Sequence, residues 1–311
     1  MPQPSRIRRP VLLLAVVVIG AAVGLGLDIA RAGGLDAWSA ARAGYVFLPD
    51  PPPYVARGHT VDVDGRAVYL DCRGSGSPTV ILEAGVGAGA GSWAWLFDDT
   101  AETTRVCAWD RPGLGRSDAR GLHTGLETAE DLRAALEAAG EEGPYVVVAH
   151  SLGGAYALLF DSLVASPDGD GVMALVMLDT WEPLVWIADD TELDPAIRAG
   201  HREVLSRTGA MFQDGEQLAW EATLAELQAL PPTEAETLHL PINMGGKFGD
   251  QAQPVPSALA AAWYRVVGEH YPNGRVEVVE NSGHVIHFDQ PELVTSRVRE
   301  IVAAVRARID S

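Results

Sequence analysis

The sequence predicts an α/β fold: a mostly parallel sheet with helices on both faces and a helical insert over one end. Three observations predict it. Strand-like and helix-like patterns alternate from Gly58 to about residue 181 and again from Leu240 to Ile309. The runs Tyr145 to Ala149 and Val172 to Leu178 are apolar or aromatic at every position, as in strands covered on both faces. Residues 182 to 237 carry helical patches and no convincing strand.

The elements follow in order. Thr60 to Asp64 and Ala67 to Cys72 flank Gly65 and read as a hairpin. Gly74-Ser75-Gly76-Ser77-Pro78 is a turn cluster before the short strand Thr79 to Glu83. Val106 to Trp109 is another strand, and Glu127 to Ala139 has helical spacing. The strand Tyr145 to Ala149 runs into a helix over Leu152 to Val164, and the strand Val172 to Leu178 follows. Within the insert, His201 to Ser206 and Glu216 to Ala229 read as helices. A strand at Leu240 to Met244, a helix at Ser257 to Glu269, a strand at Arg275 to Glu280 and a helix at Glu292 to Ile309 complete an eight-stranded count.

The chain has 311 residues and is 47% apolar, enough for a substantial core. Its 42 acidic and 23 basic residues give a formal charge of −19, which repels phosphate backbones and excludes nucleic acid as a natural partner. Ahead of the domain, Arg6, Arg8 and Arg9 precede an unbroken apolar run over residues 11–27, closed by Asp28. A basic flank before such a run marks an export signal or a membrane anchor. Residues 1–32 are therefore expected to be a signal-anchor or transmembrane segment, either uncleaved or removed near Ala30-Arg31-Ala32. With the arginines inside, the remainder lies outside the cytoplasm, membrane-anchored or, if the leader is cleaved, secreted. Residues 33–57 form a Pro-rich connector ending in Pro49-Asp50-Pro51-Pro52-Pro53, and the folded domain is expected over 58–311.

The sharpest chemical signal is Val146-Val147-Val148-Ala149-His150-Ser151-Leu152-Gly153-Gly154. A buried strand meets a helix with a serine at the corner, and the small Ala149 and Gly153 flank it at two residues on either side. A corner this tight strains the serine backbone and holds its hydroxyl clear of the sheet. The following helix aims free N–H groups and its positive dipole end at the same place.

Here the chain resembles the α/β-hydrolase superfamily, in its serine esterase- or lipase-like branch, over about residues 58 to 309. Ala84-Gly85-Val86-Gly87 stands where the superfamily carries an oxyanion loop, with Ala84 in place of the usual histidine. The resemblance implies that the backbone N–H groups of Val86 and Leu152 form the oxyanion hole. Asp110-Arg111-Pro112-Gly113-Leu114-Gly115-Arg116-Ser117 resembles the turn after the superfamily's fourth strand, where its role is structural. Asn281-Ser282-Gly283-His284 follows the last strand, the superfamily's place for its catalytic histidine. Imidazole both accepts and returns a proton near neutral pH, so His284 is the expected general base for Ser151. His287 and His150 are expected to be packing or shaping residues. For the acid the resemblance offers two positions: Asp250, the first acid after the strand 240–244, is the first choice, and Asp179, at the end of the strand 172–178, is the alternative.

The superfamily's strand order makes the second and fourth strands neighbours. Cys72 and Cys107 lie on those strands, which allows a disulfide between them, two buried thiols being the other reading. Ser151 argues against epoxide opening and halide displacement, which relatives perform with an aspartate at this corner. The sequence has no H-E-x-x-H pattern, Cys/His cluster or dinucleotide fingerprint, so no metal or cofactor is expected. The expected reaction is hydrolysis of a small-molecule or lipid-like ester through an acyl-enzyme on Ser151. Trp181, and Trp186, Ile187, Met211, Phe212, Trp220 and Leu224 of the insert, are candidates for an apolar acyl site, or pack the insert itself. An aminopeptidase or amidase of the same fold and an inactive membrane-tethered binding protein are the competing functions.

Overall fold

The protein is described here from a computed structural model. The structure describes residues 54–166, 169–180, 216–242, 265 and 267–311. The apolar run at 11–27, most of the connector, most of the insert and Asp250 lie outside the described residues. Among the described residues no helix is long and apolar enough to cross a membrane.

Eight strands form one sheet: β1 (His59–Val63), β2 (Arg66–Arg73), β3 (Thr79–Glu83), β4 (Val106–Trp109), β5 (Tyr145–His150), β6 (Val172–Leu178), β7 (Glu236–Leu240) and β8 (Gly274–Val276). The helices are α1 (Ala94–Ala101), α2 (Gly125–Ala139), α3 (Gly153–Val164), α4 (Trp220–Gln228), α5 (Ile286–Asp289) and α6 (Pro291–Ile309). Strand order is β1-β2-β4-β3-β5-β6-β7-β8. β1 and β2 pair antiparallel, β2 pairs antiparallel with β4, and every pairing from β4 to β8 is parallel.

Alternation along the central strands builds two cores. Ile81, Val147, Ala149 and Leu175 face the layer containing α2 and α3, where Leu132, Leu136, Tyr156 and Phe160 pack. Val80, Leu82, Val146, Val148 and Val176 face the other side, against Phe97 of α1 and Val298, Ile301 and Val302 of α6. A strand sandwiched this way has no solvent face, which is why β5 reads as an unbroken apolar run. The β1–β2 turn has Asp64 and Gly65 at φ +52° and +78°, the left-handed pair that a two-residue hairpin requires. Helix α2 starts earlier than its apolar spacing implied, because Thr124 and Glu127 form a reciprocal capping box, and it ends on Gly140 at φ +72°.

Two expected elements move. The seventh strand is Glu236–Leu240, not Leu240–Met244, so it starts inside the stretch assigned to the helical insert. Its polar Thr237 and His239 are buried in the sheet, so apolarity alone misplaced it. The eighth strand is the short Gly274–Val276, extended only by an isolated bridge between Ile242 and Val279. The contacts of the domain also begin ahead of Gly58. Tyr54 donates its hydroxyl to Asp71 at 2.8 Å and sets its ring edge-on to Phe97.

Cys72 and Cys107 are direct partners in the β2–β4 register and form a disulfide.

Candidate active site

Three elements converge at the carboxyl ends of β5, β6 and β8. β5 ends at His150, and Ser151 turns the chain into α3 at φ +52°. For a residue with a Cβ this left-handed conformation is strained, and surrounding structure must hold it. The Ser151 N–H donates to Leu178 O at 3.2 Å on the neighbouring strand, and Ser151 O accepts from Gly154 N–H at 3.0 Å. Bulk on the helix side is excluded, since a Cβ on Gly153 would lie 2.4 Å from Glu83 O and 2.7 Å from Ala84 O.

β6 delivers Asp179, also left-handed at φ +40°. Its N–H donates to Leu240 O at 3.0 Å, and its Oδ1 accepts from Ile242 N–H at 3.2 Å, so the end of β7 and the segment just past it fix it on two sides. The other oxygen, Oδ2, lies 2.7 Å from Nδ1 of His284. His284 Nε2 lies 2.9 Å from Ser151 Oγ. A carboxylate only accepts, so Nδ1 carries the proton and Nε2 turns its lone pair toward the hydroxyl.

The loop that presents His284 is tied down from both ends. Asn281 takes φ +57°, and Gly283 N–H donates to Asp289 Oδ2 at 2.5 Å. His284 O lies 2.9 Å from His150 Nε2, which donates to it. Three imidazoles therefore cluster, with ring centroids 4.7 Å apart for His150–His284 and 4.8 Å for His150–His287. Burial holds His150 well below the ordinary imidazole range, with the neighbouring rings of His284 and His287 adding to it. Burial likewise pushes His287, stacked on Trp93, down to about 3. Both stay neutral at physiological pH. His284, whose side chain keeps about a fifth of its exposure, is the member of the cluster placed between a hydroxyl and a carboxylate.

The loop after β3 lies against the serine. A Cβ on Gly85 would sit 3.3 Å from Ser151 Cβ and 2.9 Å from His150 Nδ1. Gly85 to Ala88 form a turn closed by Ala88 N–H to Gly85 O at 3.2 Å, with Gly87 at φ +66°. Val86 sits at the crown of this turn, and Leu152 caps the N-terminus of α3.

The sequence-predicted Ser151, His284 and Asp179 thus come together, with Val86 and Leu152 on the loops around them. The first-choice acid, Asp250, lies outside the described residues, as do Trp181, Trp186, Ile187, Met211 and Phe212. Trp220 is buried in the core cluster on the α2–α3 face. What sequence reasoning missed is the support below the turn. Glu83, Arg111 and Glu216 are buried together: Arg111 reaches Glu83 Oε1 at 2.7 Å and Glu216 Oε1 at 2.5 Å. Their signal was an acid ending an otherwise apolar strand, Thr79-Val80-Ile81-Leu82-Glu83, which needs a cation nearby. Among the described residues one Cys/acid grouping is close enough to share a metal ion, Cys72, Cys107 and Glu141, and its two sulfurs are bonded to each other.

The sequence model described as "Alpha/beta hydrolase family" matches residues 80–297. An uncharacterised Bacillus subtilis protein, YqjL, is 24% identical over 251 residues, covering 79% of this chain and 92% of its own. A thermophilic esterase from Thermogutta terrifontis shares the fold at a TM-score of 0.53 and 21% identity, over 81% of this chain and 99% of its own. The haloalkane dehalogenase DatA from Agrobacterium tumefaciens C58 does so at a TM-score of 0.56 and 16% identity, over 80% of this chain and 97% of its own.

Proposed function

This chain belongs to the alpha/beta hydrolase family, and we propose that within it the protein is a serine hydrolase that cleaves an ester. The observation that carries the reading is the unbroken chain Ser151 Oγ, His284, Asp179, with bonds of 2.9 and 2.7 Å, hung on a serine with left-handed backbone. Asp179 is the acid in this reading, since its carboxylate already holds His284 Nδ1.

The chemistry follows from that geometry. Ser151 Oγ attacks the ester carbonyl while His284 Nε2 takes its proton. The imidazolium that forms is stabilised by Asp179, which stays ionised. Negative charge gathers on the former carbonyl oxygen, between the N–H groups of Val86 and Leu152. The tetrahedral intermediate collapses, the C–O bond to the alcohol breaks, and His284 returns the proton to the leaving alkoxide. Water, deprotonated by His284, then attacks the acyl-enzyme and releases the acid and Ser151. Burial keeps His150 and His287 neutral, so in this reading the proton is carried by His284 alone, the ring placed between the hydroxyl and the carboxylate.

A serine at the corner separates this reading from the family's halide-displacing chemistry, such as that named for DatA, and favours the acyl chemistry named for the Thermogutta protein. We read residues 11–27 as a membrane anchor or export signal that holds the catalytic domain outside the cytoplasm. The test is hydrolysis of chromogenic esters of rising acyl length beside aminoacyl anilides. Ester turnover that disappears in Ser151→Ala is the expected result. Anilide turnover with inert esters moves the assignment to an amidase, and ester turnover that persists in Ser151→Ala refutes the serine mechanism.

A further inference from the structure

We propose that Arg111 is the positioning residue of the oxyanion hole: its guanidinium sets the Gly85–Val86 peptide plane, and so aims the Val86 N–H. The inference rests on the serine-hydrolase reading above.

The peptide bond is planar and trans, so a peptide's C=O and N–H point in opposite directions. Fixing Gly85 O therefore fixes the direction of Val86 N–H. Arg111 Nη2 donates to Gly85 O at 2.6 Å, and Nη1 donates to Ala84 O at 2.7 Å. Two successive peptide planes are thus held by one rigid fork. A guanidinium can do this because its donors are coplanar and fixed in spacing, whereas a lysine offers one point. A cationic donor also polarises the peptide whose N–H faces the site.

The fork is itself held. Arg111 Nη1 also donates to Glu83 Oε1 at 2.7 Å, and Nε donates to Glu216 Oε1 at 2.5 Å. Glu83 is fixed by Trp109 Nε1 at 2.7 Å, and the Tyr156 ring lies 4.8 Å from the guanidinium carbon. Glu216 then reaches past Arg111, its Oε2 accepting Gly87 N–H at 2.9 Å. The residue before Val86 and the residue after it are thus both held by one buried ionic cluster. Glu216 lies in the stretch between β6 and β7, so the cluster ties that stretch to the turn beside the nucleophile. Arg111 and both glutamates are at most 2% exposed at the side chain. Unscreened charges of this kind demand full pairing, and here much of that pairing is spent on one turn.

The test uses the full chain and the best chromogenic ester, with Arg111→Lys and Glu216→Gln, each verified folded by circular dichroism. Steady-state kcat and KM are measured beside affinity for a boronic acid carrying the same acyl group, whose tetrahedral Ser151 adduct places an oxygen in the oxyanion position. Arg111→Lys is expected to lower kcat about 100-fold, the scale of one lost oxyanion donor. KM changes little, and boronic acid affinity falls by the same factor as kcat. Glu216→Gln, which keeps the side-chain shape, shows a smaller loss in the same pattern and decides the matter if Arg111→Lys does not fold. A folded variant with wild-type kcat, or one that changes KM alone, overturns the inference while leaving the serine mechanism standing. Turnover indifferent to Ser151→Ala overturns the mechanism and this inference together.

Discussion

Lowering the pH from 8 to 5 should destabilise this protein chiefly through histidines buried without charge. Burial pushes His239 and His287 down to about 3. An unfolded chain restores each to the ordinary value near 6.5. The sign follows from linkage: between about pH 6.5 and pH 3 the unfolded state binds more protons, so stability falls as pH falls through that window. At pH 5 an unfolded imidazole is roughly 97% protonated and the folded one about 1%, which costs about 2 kcal/mol per residue. His150, held low by burial, adds in the same direction. Glu83, Asp161 and Asp289 are raised by burial and work the opposite way, taking up protons in the folded state as the pH drops. The clean quantity is therefore a difference between two proteins. His239, on β7, packs edge-on against Tyr271, away from the His150–His284–His287 cluster, and His239→Phe removes one titration. Urea unfolding followed by tryptophan fluorescence at pH 8 and pH 5 gives the stability lost by each protein. The loss in His239→Phe should be smaller than in the wild type by about 2 kcal/mol. Equal losses in the two proteins would refute the claim that His239 is kept neutral by the fold.

Further outcomes follow from the same structure. Asp179→Asn should cost about 10⁴-fold in kcat, because an amide permits the wrong imidazole tautomer; Asp250→Asn should leave turnover near the wild-type value, and the reverse pattern would return the acid to Asp250. The Cys72–Cys107 link closes a separation of 35 residues. Its removal in the double Cys→Ala variant should lower unfolding free energy by about 4 kcal/mol, seen as a lower urea midpoint under oxidising conditions. An unchanged midpoint would deny the link a stabilising role.

Much of this architecture was legible because the central strands have no solvent face. β3, β4, β5 and β6 read as continuous apolar runs, and their observed boundaries lie within a residue of those predicted. The serine corner was legible from the small residues flanking it, Ala149 and Gly153, the second of which has no room for a Cβ. β7 was not, because its buried polar residues, Thr237 and His239, are accommodated in the fold in ways that no local pattern encodes. α1 and the short 3₁₀ turn Ala90–Trp93 were missed too, lying in a Gly/Ala/Trp stretch whose spacing favours neither period. The acid was ambiguous because two aspartates follow predicted strands in the right order, and the proposal of Asp179 rests on its side-chain contact to His284. Arg111 and Glu216 were invisible as a pair because 105 positions separate them. Nothing short of the fold reveals that they share one turn.

The central claim is that the hydroxyl at the β5–α3 corner is a nucleophile made by His284. Incubating the full chain with a fluorophosphonate, then locating the adduct by intact mass and peptide mapping, tests it directly. One phosphonyl group on Ser151, with labelling slowed severely in His284→Ala, is the predicted result. An adduct on any other residue, or unchanged labelling without His284, would contradict it.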